Sequence, residues 1–380
     1  MTEATREHPV DIDSLRSLAR SSIALIERLQ DASGAYPASP TFSAYRGYSW
    51  FRDGAFIADG MSAAGRTESA TAFFDWCGSI VLARRDRIEN IVWRATAGDP
   101  VPDREMLPTR FTLDGADGGD EWWDFQLDGY GTWLWAVVEH ARRHELDLTR
   151  WRPAILLTVD YLLSAWSRPC FDWWEESADQ VHVSTLGCIV AGLRSCASSD
   201  IIDAIRLAEC SVAIEKILAL IRERGTSGDR LTKWLGSADL DASLLAVVSP
   251  LAVIPVSERL GANTVAAVER ELGYGGGVHR YLRDTFFGGG QWPLLTCFLG
   301  LADAAAGSRE LAMDRLRWAA STADTDEQIP EQVDRHLLDP AMVEEWVSRW
   351  GPVARPLLWS HAMYVRLAVE LGVIKPGEIA

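Results

Sequence analysis

Phe171-Asp172-Trp173-Trp174-Glu175-Glu176 is followed eight residues later by Ser184-Thr185-Leu186-Gly187, which opens an apolar helix. Two adjacent carboxylates and two adjacent indoles thus sit on a loop that feeds a helix. Taken alone, the pair reads as solvated acids beside core tryptophans. The stretch gains meaning because polar and aromatic clusters of this kind recur before alternate helices. The series includes Trp50-Phe51-Arg52-Asp53, then Trp122-Trp123-Asp124-Phe125-Gln126-Leu127-Asp128-Gly129-Tyr130-Gly131, then Asp239-Leu240-Asp241-Ala242-Ser243. It ends with Gly288-Gly289-Gly290-Gln291-Trp292 and Leu358-Trp359-Ser360-His361.

Apolar residues at the helical period predict helices over Ile12–Ser33, Asp53–Ala64, Glu68–Val92, Gly129–Glu145, Ile155–Ser167 and Ser184–Ser198. The same pattern continues over Ile201–Gly225, Ala242–Val248, Ala262–Leu272, Trp292–Ala306, Ser308–Ala323 and Pro356–Val373. Gly65, Gly225 and Gly307 stand where helix stops are expected, and no stretch alternates as a strand does. Helices numbering about twelve pair into about six hairpins. The expectation is therefore an all-α closed toroid, an (α/α)6 barrel, with every second helix in an inner ring. All the clusters would then open at one mouth, where loops on a rigid scaffold form a site. The 380 residues carry no Pro/Ser-rich linker, so residues 1–380 are expected to form a single domain.

Composition excludes several function classes. With 37 basic and 54 acidic side chains the formal charge is −17, which repels phosphate backbones and anionic membranes, so no nucleic-acid or membrane partner is expected. The six cysteines have neither C-x-x-C nor Cys/His metal spacing and read as buried apolar residues; no metal or cofactor is implied. Met1 to Asp13 is polar, and no apolar run reaches membrane-span length, which points to a cytoplasmic protein. Seventeen tryptophans are far more than an ordinary share, and indole faces suit the C–H faces of sugars.

Inverting cleavage of a glycosidic bond needs one protonated carboxyl and one ionised carboxylate on opposite sides of the sugar. Glu175, beside its indoles, is the candidate acid, because an apolar setting raises a carboxyl pKa. Glu331, in Ile329-Pro330-Glu331-Gln332, is the candidate base, on a loop stiffened by proline. Arg52 and Asp53 read either as a helix-start ion pair or as donor and acceptor for adjacent hydroxyls. Arg280-Tyr281, after Gly275-Gly276-Gly277, offers a second donor; the glycine triplets lack the Lys and Ser/Thr of a phosphate loop.

These residues resemble the glucoamylase-like glycoside hydrolases of family 15. The resemblance runs in order through Ser49-Trp50-Phe51-Arg52-Asp53, Gln126-Leu127-Asp128-Gly129-Tyr130-Gly131, Phe171-Asp172-x-Trp174-Glu175-Glu176, Arg280-Tyr281, Gly289-Gly290-x-Trp292, Glu331-Gln332 and Trp359-Ser360. It implies an (α/α)6 barrel and an inverting exo-attack that releases β-glucose from an α-glucoside end. It makes Glu175 the general acid and Glu331 the general base. Trp50, Arg52, Asp53, Trp122, Trp174, Glu176 and Arg280 would surround the terminal glucose, with Gln126, Trp173, Phe287 and Trp292 completing the substrate site. Tyr45 is the candidate for the tyrosine beside the attacking water, with Tyr48 as the alternative.

Departures from the family pattern bear on substrate. The chain has room for neither an N-terminal β-sandwich nor a carbohydrate-binding module, and Phe286-Phe287 stands where many relatives have a tyrosine. These features resemble the short branch of isomaltose glucohydrolases, which cut small α-1,6-linked glucosides. A trehalase and a short-maltooligosaccharide glucoamylase remain open within the class. Outside it stand a non-catalytic glucan-binding toroid and a sugar epimerase using His182, His279, His336 or His361. Oligomeric state is not legible from the sequence.

Overall fold

The computed structural model describes residues 11–119, 122 and 125–377. The polar first ten residues and the cluster members Trp123 and Asp124 lie outside them. Fourteen α-helices are present among the described residues: α1 (Ile12–Leu29), α2 (Phe51–Ala63), α3 (Thr67–Ala83), α4 (Arg85–Thr96), α5 (Asp128–His144), α6 (Arg152–Ala165) and α7 (Val183–Ala197). The second half has α8 (Ala204–Arg224), α9 (Leu244–Val248), α10 (Arg259–Leu272), α11 (Pro293–Ala305), α12 (Arg309–Ala320), α13 (Val343–Trp350) and α14 (Leu358–Glu370).

Six helices form an inner ring. α2 packs on α5, α5 on α7, α7 on α9, α9 on α11, α11 on α14, and α14 closes back on α2. The helices between them, α1, α3, α6, α8, α10 and α12, pack outside the ring, which gives the expected (α/α)6 barrel. Composition explains the division. All thirteen residues of α2 are buried, and α9 is buried throughout, whereas α8 buries only Cys210, Ala213, Ile217 and Ile221. A helix with small or apolar residues on most sides can be surrounded, with its few polar groups paired, and one with a stripe covers a neighbour. Small residues let the inner helices approach closely. A Cβ on Gly131 of α5 would stand 2.4 Å from the Cys188 carbonyl oxygen of α7, and one on Gly192 would stand 2.5 Å from that of Gly131.

Two expectations need correction. The stretch Glu68–Val92 is not one helix, because Arg84 leaves the helical region at φ −108°, ψ 18° and separates α3 from α4. Its guanidinium is drawn to the Gly115 carbonyl, 3.0 Å away, and to Asp117. The second correction is α13, which the period analysis did not anticipate. Short antiparallel pairs complete the frame; the first joins β1 (Tyr48–Trp50) to β2 (Arg110–Thr112), with Trp50 opposite Arg110.

Candidate active site

The starts of α2, α5, α7, α11 and α14 meet at one mouth of the ring, and the segment before α9 joins them through Asp241, which accepts Trp174 Nε1 at 3.0 Å. There the chain encloses a cavity of about 230 Å³. Trp50, Arg52 and Asp53 reach it from the start of α2, and Trp122 from the segment before α5. Trp173, Trp174, Glu175 and Glu176 come from the loop before α7; Arg280 and Trp292 come from the segment before α11. Glu331 and Tyr45 complete the set. The structure thus gathers these twelve sequence-predicted residues on one wall system.

Two predicted residues are not on that wall. Gln126 is fully buried behind it, donating from Nε2 to Glu175 Oε1 at 3.1 Å while its own Oε1 accepts from Arg52 at 2.6 Å. Phe287 is the correction: its neighbour Phe286 faces the cavity, and Phe287 packs beneath against Phe42 and Trp346. The cause is backbone conformation. Phe287 sits at φ 49°, in the left-handed region, and the following Gly288 and Gly289 also have positive φ, so the chain reverses there.

Glu175 is held from one side. Its Oε1 also lies 3.4 Å from Arg52 Nη2, and Arg52 is itself braced by Asp53 at 3.2 Å and Asp128 at 3.4 Å. The guanidinium lies 5.8 Å from the Trp173 ring centre and 5.6 Å from that of Trp359, two indoles on the cavity wall. Burial pushes the Glu175 carboxyl up to about 7, against the pull of Arg52 and Gln126. The turn that carries it is unusual, with Glu175 at φ 57° and Ser177 at φ 52°. Asp172 secures it by accepting the Trp174 and Glu176 amides, each at 2.9 Å.

Glu331 is buried, and its two oxygens differ. The Tyr45 hydroxyl donates to Oε1 at 2.8 Å, while Oε2 is buried without a hydrogen-bond partner. Burial raises this carboxyl to about 8; the Tyr45 bond and Arg280 oppose the rise, and Asp53 and Glu175 add to it. Asp53 is likewise lifted by burial, to about 6. The Tyr45 ring is fixed between Phe42 and Trp50, with centres at 4.5 and 5.5 Å. Tyr48, the alternative, does not line the cavity and instead lies under Arg110, 3.9 Å from its ring centre. The Glu331 loop is anchored on neighbouring elements. Its amide donates to the Ala354 carbonyl at 2.9 Å, and Gln332 Oε1 accepts the Gly290 amide at 2.7 Å.

None of the four histidines considered from sequence reaches the cavity. His361 Nε2 accepts the Ile329 amide at 2.9 Å, and Nδ1 lies 2.8 Å from Ser22 Oγ. Burial lowers it to about 3, so it is a neutral brace behind the Glu331 loop. His279 and His182 bond the backbone carbonyls of Gly289 and Ser177. His336 packs edge-on to Tyr274. An epimerase site built on these rings is therefore not formed. Among the described residues, no group of three or more His, Cys, Asp or Glu side chains has the arrangement of a metal site. No helix among them is long and apolar enough to cross a membrane.

Sequence reasoning missed the outer rim. Phe42 and the α13 residues Trp346, Arg349 and Trp350 also line the cavity, with the Trp350 ring centre 6.2 Å from that of Trp122. The signal was present in Val343, Trp346, Val347 and Trp350, spaced as one helix face, but it spans only two turns. Lys233 was missed too. It lies behind Glu176 and off the cavity wall.

A helical toroid with two buried carboxyls on one tryptophan-lined cavity is the kind of site a glycosidase uses. A sequence profile for glycosyl hydrolases family 15 matches residues 13–311, a span that includes Glu175 and stops short of Glu331. The chain is 50% identical over 384 residues to the isomaltose glucohydrolase of Kribbella flavida, covering 99% of each. It also superposes on a structure described as a wild-type glycosidase with TM-score 0.94 and 50% identity, covering 96% of this chain and 98% of that one. The glucoamylase of Hormoconis resinae shares the fold at 17% identity and TM-score 0.69, over 96% of this chain and 74% of its own. The chain belongs to glycosyl hydrolases family 15, and it is a glycosidase.

Proposed function

We propose that this chain hydrolyses isomaltose and short α-1,6-linked isomalto-oligosaccharides from the non-reducing end, with inversion, releasing β-glucose. One observation carries the mechanism: Glu175 and Glu331 come from distant loops to one cavity, the first with both donors on a single oxygen and the second with one oxygen unpaired. On Glu175 the proton sits on Oε2, since Oε1 already accepts from Gln126 and faces Arg52. It passes to the glycosidic oxygen as the bond from that oxygen to the anomeric carbon breaks. A water bonded to Glu331 Oε2 attacks the anomeric carbon from the opposite face and gives its proton to that carboxylate. Each turnover thus moves one proton off Glu175 and one onto Glu331; exchange with solvent restores the starting state.

Glu175 adds to the rise of Glu331, so the pair releases its protons in coupled steps. Catalysis uses the singly protonated form with the proton on Glu175 and Glu331 ionised, the reverse of the order that burial sets in the cavity, at about 7 and about 8. Tyr45 holds Glu331 and orders the water. Arg52, Asp53, Glu176 and Arg280 supply donors and acceptors for the terminal glucose, and Trp50, Trp122, Trp174 and Trp292 supply apolar faces. The resemblance to the Kribbella flavida enzyme supports the linkage. Proton NMR of a fresh isomaltose digest tests both points. β-Glucose is expected as the first product, and kcat/KM should be higher for isomaltose than for maltose, kojibiose, nigerose or trehalose. Early α-glucose sinks the mechanism, and a preference for trehalose sinks the substrate.

A further inference from the structure

Lys233 stands behind the acid turn, 6% exposed and absent from the cavity wall. Its backbone is fixed on both sides: the amide donates to the Asp239 carbonyl at 2.8 Å, and the carbonyl accepts the Val183 amide at the start of α7 at 3.1 Å. Its ammonium lies 3.2 Å from Asp241 Oδ2, 3.3 Å from Asp172 Oδ2 and 3.7 Å from Glu176 Oε2. The Tyr281 ring centre is 3.6 Å away. Each of these neighbours holds part of the turn. Asp172 accepts the Trp174 and Glu176 amides; Asp241 accepts Trp174 Nε1 at 3.0 Å; and the Tyr281 hydroxyl donates to Glu176 Oε2 at 2.6 Å.

Asp172 and Asp241 are buried and Glu176 is half-buried beside them, and carboxylates gathered so closely repel one another unless a cation stands among them. Among the described residues, Lys233 is the only cation paired with Asp172 or with Asp241; Glu176 has Arg280 as well, at 3.8 Å. The turn it supports carries Glu175 and Ser177 at positive φ, a conformation that persists only where the surroundings hold it. We propose that Lys233 is a positioning residue: by drawing Asp172, Asp241 and Glu176 around one charge it keeps Glu176 an ionised acceptor on the cavity wall and holds Glu175 in its left-handed turn. This rests on the reading of Glu175 as the acid and Glu176 as a sugar-binding neighbour.

The charges facing Glu176 set the expected pH effect. Asp172 and Glu175 come from its own loop, Lys233 and Asp241 from the segments before α9, and Arg280 and Tyr281 from the segment before α11. Arg230, Asp239, Glu271 and Arg283 line the cleft on its outer side, and His182 bonds the Ser177 carbonyl. Burial raises Glu176; Arg280 and Lys233 draw it down, while Asp172 pushes it up. Without Lys233 only Arg280 and the Tyr281 hydroxyl are left to oppose burial and the repulsion from Asp172. Glu176 then takes up a proton at higher pH and stops accepting from sugar hydroxyls.

The test compares K233M and K233R with the wild-type chain by glucose-binding calorimetry between roughly pH 5 and 8, alongside kcat and KM for isomaltose. In K233M the acid-side loss of glucose affinity should move up by about one pH unit, a tenfold change in proton affinity, and KM should rise on the same limb. K233R should recover most of the wild-type profile by restoring the charge. Pairing K233M with D241N removes one buried anion together with the cation and supplies a folded variant if K233M alone unfolds; the same shift is expected. Wild-type pH profiles in these variants overturn the proposal, whatever their melting temperatures, as does an equal loss in K233R and K233M. Glucose binding is read without turnover, so failure of the wild type to cut isomaltose sinks the substrate assignment and leaves the Lys233 test standing. No glucose binding by the wild type overturns both.

Discussion

The Tyr45 hydroxyl donates to Glu331 Oε1 at 2.8 Å, bridging 286 positions of sequence, while the second oxygen of that carboxylate is buried without a hydrogen-bond partner. One oxygen is therefore fixed and the other offered. Y45F removes the fixed contact with little change in shape. Loss of a hydrogen bond to a charged group should cost roughly 10- to 100-fold in kcat. Because that bond holds Glu331 down, the limb of the pH–rate profile set by Glu331 should move to higher pH. A Y45F enzyme with wild-type kcat and an unmoved profile removes Tyr45 from the mechanism.

E175Q and E331Q keep side-chain volume and lose proton transfer. Each should lower kcat by about 10²–10⁴-fold while glucose affinity stays within a few-fold of wild type. Steady-state rates and calorimetry on the same samples separate the two effects. Near-normal turnover in either variant refutes the carboxyl assignment.

The raised carboxyls also link stability to pH. Asp53 at about 6, Glu175 at about 7 and Glu331 at about 8 all lie above the ordinary carboxylate range. The fold therefore favours their protonated forms: this contribution is complete below the unfolded-state pKa of 4.5 and is lost as pH rises through about 8. E331Q, which never ionises, should gain melting temperature over wild type as pH increases. The gap should widen by at least roughly 2 °C between about pH 5 and 8.5. A constant or shrinking gap contradicts the assigned burial of Glu331.

Gly290 lies where the loop before α11 meets the Glu331 loop. A Cβ there would fall 2.1 Å from the Val333 carbonyl oxygen and 2.7 Å from Gln332 Oε1. G290A should therefore displace the base loop, cost about 1–3 kcal/mol of stability and lower kcat more than it raises KM. A fully active, equally stable G290A would show that the two loops are not packed as described.

The barrel and most of its site were legible in the sequence for one reason: the chemistry starts each inner helix. Trp50 to Asp53, Trp173 to Glu176 and the Gly-rich approach to Trp292 each announce a helix start and a wall residue together. What was hidden depends on tertiary placement. Gln126 stands behind Arg52 because the start of α5 is recessed, and Phe286 displaces Phe287 because the chain turns through positive φ. The two turns of α13 are too few for periodicity to detect. Lys233 carries no local pattern, and its role exists only where three loops converge.

The inner ring has a seam, since α14 docks on α2 to close it. His361 of α14 holds the Ile329 amide, and the Leu357 amide just before α14 donates to the Ile329 carbonyl, so the loop bearing Glu331 is shaped from the last helix. During synthesis the binding wall and Glu175 emerge long before the support for Glu331. Contacts this distant in sequence form slowly. Hydrolytic activity should consequently trail helix formation in refolding, which makes the cutting of a glucoside a direct reporter that the circle has closed.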